Sequence, residues 1–175
     1  FTSIFLTPLI FNFSTRELFE FPKMIAVYVI TPIAFSYMMI SHSRVQKRGE
    51  RFSIMKPLTA LLALNILSTV FSLDVNTSVF GYYTRFNGGL ISLFSYTMLA
   101  YFSLTFLLKR DVTESAFWLS LSSMVAGVYA IAQHLGIDKD FWVQDSQARA
   151  FSTLGQPNWL AAYLLMTLPI TLYFL

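Results

Sequence analysis

The chain has 175 residues, of which 55% are hydrophobic and only 12% are charged, about half the charged fraction of roughly 25% in soluble domains. A soluble domain of this length could not cover so much apolar surface with so few charges. The net charge of +3 is too small to indicate a nucleic-acid partner, and the absence of cysteine excludes disulfides and thiol chemistry.

Apolar runs of the length that crosses a bilayer, roughly 17–25 residues, recur along the chain. They predict an all-α fold, a polytopic transmembrane helical bundle of about six spans. The chain begins on Phe1 and ends at Leu175, each within an apolar run. We therefore expect residues 1–175 to be the N-terminal transmembrane part of a longer protein, with the first and last spans truncated and no separate soluble domain.

The predicted spans are separated by polar loops, and Pro32 is expected to kink the second of them. Small residues at four-residue spacing in the fifth span, such as Ser123 and Gly127, predict close helix packing. In chain order the spans are 1–11 (the end of a span), 23–40, 57–73, 90–108, 115–135 and a sixth that begins near Pro157.

Short loops rich in lysine and arginine face the cytoplasm. The predicted loops at 41–56 and 109–114 carry seven such residues, against five on the other side. We therefore expect these two loops to be cytoplasmic and those at 12–22, 74–89 and 136–156 to face outward. The basic residues on the cytoplasmic side are Arg44, Lys47, Arg48, Arg51, Lys56, Lys109 and Arg110, and those on the other side are Arg16, Lys23, Arg85, Lys139 and Arg149.

The outward loops are rich in aromatic residues. Such rings anchor a protein at the headgroup level of the membrane, and they also stack on sugar rings, so the sequence leaves both roles open. They are Phe19, Phe21, Phe80, Tyr82, Tyr83, Phe86, Phe141, Trp142 and Trp159.

The stretch RAFSTLGQPNWLAAYLL, residues 149–165, contains the start of the sixth predicted span. Proline is favoured at the first position of a helix, so Pro157 predicts that start, with Gln156 or Asn158 able to cap it. A helix N-terminus favours an anion, and Arg149 adds a permanent positive charge. The stretch therefore predicts a phosphate-binding corner at the outer surface, or an ordinary capped helix beside an interfacial arginine.

Two further patterns suggest ligands. Arg85 is a second outward arginine, followed by Asn87 and two glycines that would let the backbone approach a ligand. Asp138 and Asp140 have the Asp-x-Asp spacing of metal-dependent glycosyltransferases, although a solvated loop with Lys139 between them has the same pattern. His42 and His134 have no partners at ligand spacing, so no metal site is predicted from them.

Three motifs together carry a resemblance to a known family: RELFEFPKM (16–24), FGYYTRFNGGL (80–90) and the stretch 149–165. They resemble the N-terminal half of the O-antigen ligase/polymerase superfamily, polytopic glycosyltransferases of the bacterial cytoplasmic membrane. The resemblance implies transfer of a glycan from an undecaprenyl-diphosphate carrier to a glycan or lipid acceptor on the outer face of that membrane. It implies no nucleotide sugar, metal or other cofactor.

The resemblance also implies roles for individual residues. Arg149 matches the family arginine that binds the carrier diphosphate, beside Gln156 and Asn158, and Arg85 is a weaker match with a similar role. The catalytic residue, a histidine on a large external loop, is expected beyond Leu175. The partners implied are a lipid-linked oligosaccharide donor, the acceptor and membrane lipids, and the fragment itself is expected to be inactive.

Two other functions remain open from the sequence. One is a glycosyltransferase that uses polyprenyl-phosphate sugars, with Asp138 and Asp140 holding a metal. The other is a transporter or lipid flippase, which would require ionisable residues near the middle of its spans. The predicted span centres contain only Ser, Thr and Asn65 as polar residues, which argues against ion coupling.

Overall fold

The computed structural model describes residues 1–14, 17–40, 49–107 and 109–174, and within these ranges all regular elements are helices. The prediction of an all-α fold is confirmed for this part of the chain. Two short 3-10 turns lie at Thr7–Leu9 and Ser152–Leu154. The α-helices are α1 (Thr2–Leu6), α2 (Glu20–Ile40), α3 (Gly49–Val70), α4 (Val75–Phe80), α5 (Leu90–Phe106), α6 (Lys109–His134) and α7 (Pro157–Tyr173).

The chain forms two compact units. The first comprises Phe1–Lys23 and Lys109–Leu175, and in it α6 packs against both α1 and α7. The second comprises Met24–Leu108, in which α5 packs against α3 and the short α4. That residues 1–175 lack a separate soluble domain stays a prediction.

Two helices of the described residues are long and apolar enough to cross a bilayer: α2, and α6 from Arg110 to His134. The Met55–Val70 part of α3 and the whole of α5 are apolar but shorter. The length and composition of the two long helices indicate association with a membrane. The number of spans and their orientation stay predictions.

The distribution of apolar side chains supports this indication. Among the buried residues of the described ranges, serine, threonine and glutamine outnumber large hydrophobic residues. Large apolar side chains lie on the outside instead, for example Ile33 in α2 and Val128 in α6, at 64% and 66% exposed. Small polar residues inside and large apolar residues outside are the pattern of helices whose outer surface meets lipid.

The helix boundaries correct several predictions. Residues 1–11 are not the continuous end of a span, because α1 stops at Leu6 and the chain is extended at Ile10 after the 3-10 turn. Residues 49–56 and 109–114, predicted as loops, are the first turns of α3 and α6. Hydropathy shows where a helix could enter lipid, whereas the helix itself continues through charged residues, and Asp111 in the first turn of α6 is favourable to the helix dipole.

The basic cluster that decided the predicted orientation lies largely outside the described residues. This is true of Arg44, Lys47 and Arg48, and also of Arg16 in the first predicted outward loop. The predicted positions of those four charges therefore stay predictions. Pro57, predicted to open the third span, instead lies inside α3.

Helix α4 lies within residues 74–89, which were predicted as a loop. Asp74 caps it, because its Oδ1 accepts a hydrogen bond from the Thr77 backbone N–H at 3.2 Å and its Oδ2 accepts one from the Thr77 hydroxyl at 2.6 Å. The helix ends at Gly81, whose φ of 81° lies in the region that favours glycine. Asp-x-x-Thr followed by glycine is a local capping pattern that the span-based prediction overlooked.

Candidate anion-binding site

The candidate site is built on the connection between α6 and α7, residues 135–156, in the first unit. Gln133, in the last turn of α6, holds the C-terminal end of this connection in place. Its side chain is fully buried, and its Oε1 accepts hydrogen bonds from the backbone N–H groups of Phe151 and Ser152 at 3.3 and 2.7 Å. The Ser152 hydroxyl in turn donates to the Ala126 carbonyl at 2.7 Å. These bonds fasten the segment before α7 to the face of α6.

Asp138 connects the N-terminal end of the connection to the same helix through hydrogen bonds. Its Oδ2 accepts hydrogen bonds from the Tyr129 hydroxyl at 2.6 Å, from Gln133 Nε2 at 3.2 Å and from the indole N–H of Trp142. Burial raises the pKa of the Asp138 carboxyl, but the hydrogen bonds from Tyr129, Trp142 and Gln133 outweigh burial and hold the pKa below its ordinary value of 3.8. The carboxylate therefore stabilises the fold in its charged form.

This pKa shift predicts a pH dependence of stability. Because the pKa of Asp138 is lower in the folded than in the unfolded protein, its contribution is complete well above the ordinary pKa of 3.8. It is lost progressively as the pH falls through that value and then through the lower folded-state pKa. We expect Asp138→Asn to lower the free energy of unfolding at pH 7 and to flatten its decrease at acid pH, measured by denaturant titration in detergent micelles. Asp140→Asn is the control, because Asp140 is exposed, and equal acid profiles for wild type and Asp138→Asn would contradict the assignment.

An aromatic cluster lies beneath the connection. The Trp142 ring lies between 5.2 and 5.8 Å from the ring centroids of its four aromatic neighbours. Phe151, at the centre of the cluster, is 1% exposed. Phe19 and Trp142 are thus packed against protein in this unit, which favours a structural role over a free sugar-stacking face. The members are Phe11, Phe13, Phe19, Phe141, Trp142 and Phe151.

The turn that leads into α7 is fastened from the other side by Lys23. The Lys23 Nζ donates to the Thr153 carbonyl at 2.6 Å and to the Phe19 carbonyl at 3.2 Å. Gly155 follows with a φ of 80°, and a Cβ at this position would lie 2.4 Å from the Phe19 ring. Only glycine satisfies both the backbone angle and the contact, so the direction in which the chain enters α7 is set by these three residues.

Arg149 and Asn158 meet at the N-terminus of α7. Arg149 Nη2 donates to Asn158 Oδ1 at 3.1 Å, and both side chains are exposed. Pro157 occupies the first turn, as predicted, and Gln156 is the N-cap residue, but its side chain makes no capping hydrogen bond. The prediction that Gln156 or Asn158 caps the helix is thus not met, because the Asn158 oxygen is used by Arg149. The structure brings together a guanidinium, an amide and the first turn of a helix.

Arg85 belongs to the second unit, where it lies on the loop between α4 and α5. Gly89 packs against the loop itself, since a Cβ there would lie 2.3 Å from the Gly81 nitrogen, whereas a Cβ at Gly88 would come no closer than 4.0 Å to the Tyr82 ring. The Asn87 side chain accepts hydrogen bonds from Gly88 N–H at 2.8 Å and from the Tyr96 hydroxyl at 3.1 Å. The close approach at Gly89 is thus between two parts of one backbone, and the approach of a ligand at Gly88 stays a prediction.

Asp138 and Asp140, the predicted alternative metal pair, differ in their surroundings. The three donors described above all bond to Asp138 Oδ2, and its Oδ1 is buried without a hydrogen-bond partner among the described residues, whereas Asp140 is exposed. Within the described ranges, no group of three or more His, Asp or Glu residues is arranged to hold a metal ion.

Sequence reasoning missed the residues that build this region. Gln133 lies in none of the three motifs, and Lys23 and Ser152, although each lies within a motif, were given no structural or binding role. The single available signal was the presence of a glutamine and a lysine at the ends of apolar helices, where a buried polar group needs partners. Those partners lie 18 to 130 residues away in the sequence.

Comparison of the chain with protein-family models, with curated proteins and with solved structures gives no match.

Proposed function

We propose that this chain binds the diphosphate of an undecaprenyl-linked glycan and belongs to a membrane glycosyltransferase of the O-antigen ligase/polymerase type. In this proposal the parent protein transfers the glycan to an acceptor on the outer face of the cytoplasmic membrane. The observation that carries the proposal is the exposed pair of Arg149 and Asn158 at the N-terminus of α7, in a chain with two helices long enough to span a bilayer. The motif resemblance supplies the identity of the carrier.

The chemistry of the pair suits a diphosphate. A guanidinium has five N–H donors in a planar fork, so the bond from Arg149 to Asn158 leaves donors for phosphate oxygens. That bond also restrains the guanidinium beside the first turn of α7, whose N–H groups and dipole favour an anion. In a transfer reaction, such fixed donors would stabilise the charge that develops on the departing diphosphate.

The proposal includes a membrane arrangement of about six spans, with residues 41–56 and 109–114 on the cytoplasmic side. Arg149 and Gln156 would then lie at the outer surface, and Arg85 is proposed as a second diphosphate ligand. The resemblance implies an acceptor-activating histidine beyond Leu175, so binding of the carrier is the appropriate measurement for this chain. Nothing in the contacts of Asp138 or Asp140 favours the metal-dependent alternative.

The test is binding of undecaprenyl diphosphate to the chain in nanodiscs, with wild type compared with Arg149→Ala. Charge-assisted hydrogen bonds contribute about 1.5–3 kcal/mol, so we expect affinity to fall by roughly 10- to 150-fold. Arg110→Ala is the matched control, because Arg110 is an exposed arginine at the opposite end of α6 from the connection. Arg149→Lys should recover only part of the affinity, since an ammonium lacks the planar fork.

Equal affinities of wild type and Arg149→Ala would contradict the proposal, and Arg149 would then be an interfacial residue. The same conclusion would follow if Arg110→Ala weakened binding as much as Arg149→Ala, because the effect would then come from net charge and not from the site.

A further inference from the structure

A concave surface lies in the α6–α7 connection immediately before Arg149. It is lined by residues between Lys139 and Gln147, is largely open to solvent and has a volume of about 360 Å³, at the lower end of the ~300–1,000 Å³ of small-molecule sites. The Arg149 backbone N–H donates to the Asp145 carbonyl at 3.3 Å. The concave surface and the candidate anion site are therefore adjacent parts of one connection.

The lining of this surface is polar and of mixed charge. Asp140 and Asp145 contribute two carboxylates and Lys139 one ammonium, and Gln144 and Gln147 add amides. Two carboxylates against one cation repel a phosphate, so this surface does not suit the diphosphate itself. Donors and acceptors in close alternation suit a neutral ligand with many hydroxyl groups.

Ser146 provides an independent observation. It lines the same surface and is 1% exposed, and its hydroxyl has no hydrogen-bond partner among the residues that the structure describes. Buried hydroxyl groups of native proteins nearly always have a hydrogen-bond partner, supplied by the protein, by water or by a ligand. A serine hydroxyl can change its partner by rotation about one bond, so a ligand hydroxyl seated on this surface could pair with it.

The loop keeps its shape without two of the lining side chains. Asp145 Oδ1 is used internally, since it accepts hydrogen bonds from the Gln147 and Ala148 backbone N–H groups at 3.0 Å. Asp140 and Gln144, by contrast, are exposed and make no side-chain hydrogen bond to other described residues. These two side chains are available to a ligand, and their removal leaves the internal bonds of the loop in place.

We propose that this surface is a saccharide subsite, which binds a pyranose ring of the carrier-linked glycan through Asp140, Gln144 and the Ser146 hydroxyl. The inference rests on the proposed function, because it assigns the diphosphate to Arg149 and the sugar attached to it to the preceding residues. A sugar diphosphate has an anionic part and a neutral polyhydroxyl part in direct covalent sequence. The connection has, in the same direct sequence, a cationic surface at Arg149 and a polar surface of mixed charge before it.

The test compares undecaprenyl diphosphate alone with the same carrier bearing one glucose, galactose or N-acetylglucosamine, titrated against the chain in nanodiscs. At least one of these saccharides should tighten binding to the wild type by about tenfold, a typical net gain from one or two hydrogen bonds exchanged with water. The gain should disappear in the double variant Asp140→Ala/Gln144→Ala, whereas binding of the bare carrier should not weaken, because the variant removes a carboxylate that repels phosphate. Asp140→Asn, which keeps a hydrogen-bond acceptor, should retain part of the gain.

The saccharide subsite is overturned if none of the three sugars tightens binding to the wild type, or if the double variant keeps the full gain. Methyl glycosides of the same sugars, observed by saturation-transfer NMR, report on the subsite without any diphosphate. If Arg149→Ala binds the bare carrier as well as the wild type does, the proposed function fails, whereas glycoside contacts that depend on Asp140 and Gln144 would still support the subsite. The two failures are therefore distinguishable.

Discussion

Gln133→Leu is expected to cause a large loss of stability, about 2–5 kcal/mol in the free energy of unfolding. Leucine is apolar and lacks the terminal amide, so the buried backbone N–H groups of Phe151 and Ser152 lose the oxygen they share. Each buried donor left unpaired costs on the order of 1–3 kcal/mol. The donor to Asp138 is lost as well.

Gln144→Leu is the matched control for this prediction. It makes the same chemical change at an exposed residue of the same connection, where substitutions usually alter stability by less than about 0.5 kcal/mol. Denaturant unfolding in detergent micelles measures both variants, and hydrogen exchange should show faster exchange at the Phe151 and Ser152 amides in Gln133→Leu only. Equal stabilities of the two variants would show that these amides find other partners.

Gly89→Ala is expected to cost roughly 1–3 kcal/mol, the range for overpacking a closely packed site. The added Cβ would lie 2.3 Å from the Gly81 nitrogen and 2.6 Å from the Val79 carbonyl oxygen. Both are backbone atoms, so no side-chain rotation relieves the contact and the loop between α4 and α5 must move. We expect this movement of the loop to weaken the hydrogen bond from Tyr82 N–H to the Asn87 carbonyl, which is 3.1 Å long in the wild type.

Gly127→Ala makes the same change with the opposite expected sign. Gly127 lies within α6, and a Cβ there would meet no atom within 4 Å. Alanine is favoured over glycine in a helix by about 0.5–1 kcal/mol, so this variant should be as stable as the wild type or more so. Thermal unfolding in one detergent compares the stability of each variant with that of the wild type. A destabilised Gly127→Ala together with an unchanged Gly89→Ala would contradict the packing at these two glycines.

Gly127 also shows what the spacing of small residues cannot predict. Its four-residue spacing from Ser123 predicts one packed face on this helix, but only Ser123 is buried, whereas Gly127 has open space around the position of its missing Cβ. The spacing shows which residues share a helix face. It does not show whether that face has a neighbour.

For the aromatic residues of the predicted outward loops, too, the sequence shows that the rings are present but not what they pack against. Membrane anchoring and sugar stacking were both open for Phe19 and Trp142, and in the structure these rings pack with Phe151 in one cluster. The aromatic content of the loops was readable from composition. That these rings face one another depends on how residues 11–19 and 141–151 approach, which no local pattern encodes.

The sequence by itself determined the all-helical fold, the membrane-compatible character of α2 and α6, and the start of α7 at Pro157. These features depend on composition and on signals within one helical turn, such as proline at the first position. Only the tertiary structure decided that Gln133 and Lys23 hold the segment before α7, that Asn158 pairs with Arg149, and that Gly81 and Gly89 pack against their own loop. The physical reason is that hydrogen-bond partners such as Lys23 and Thr153 are 130 residues apart, and their pairing exists only after the helices between them have packed.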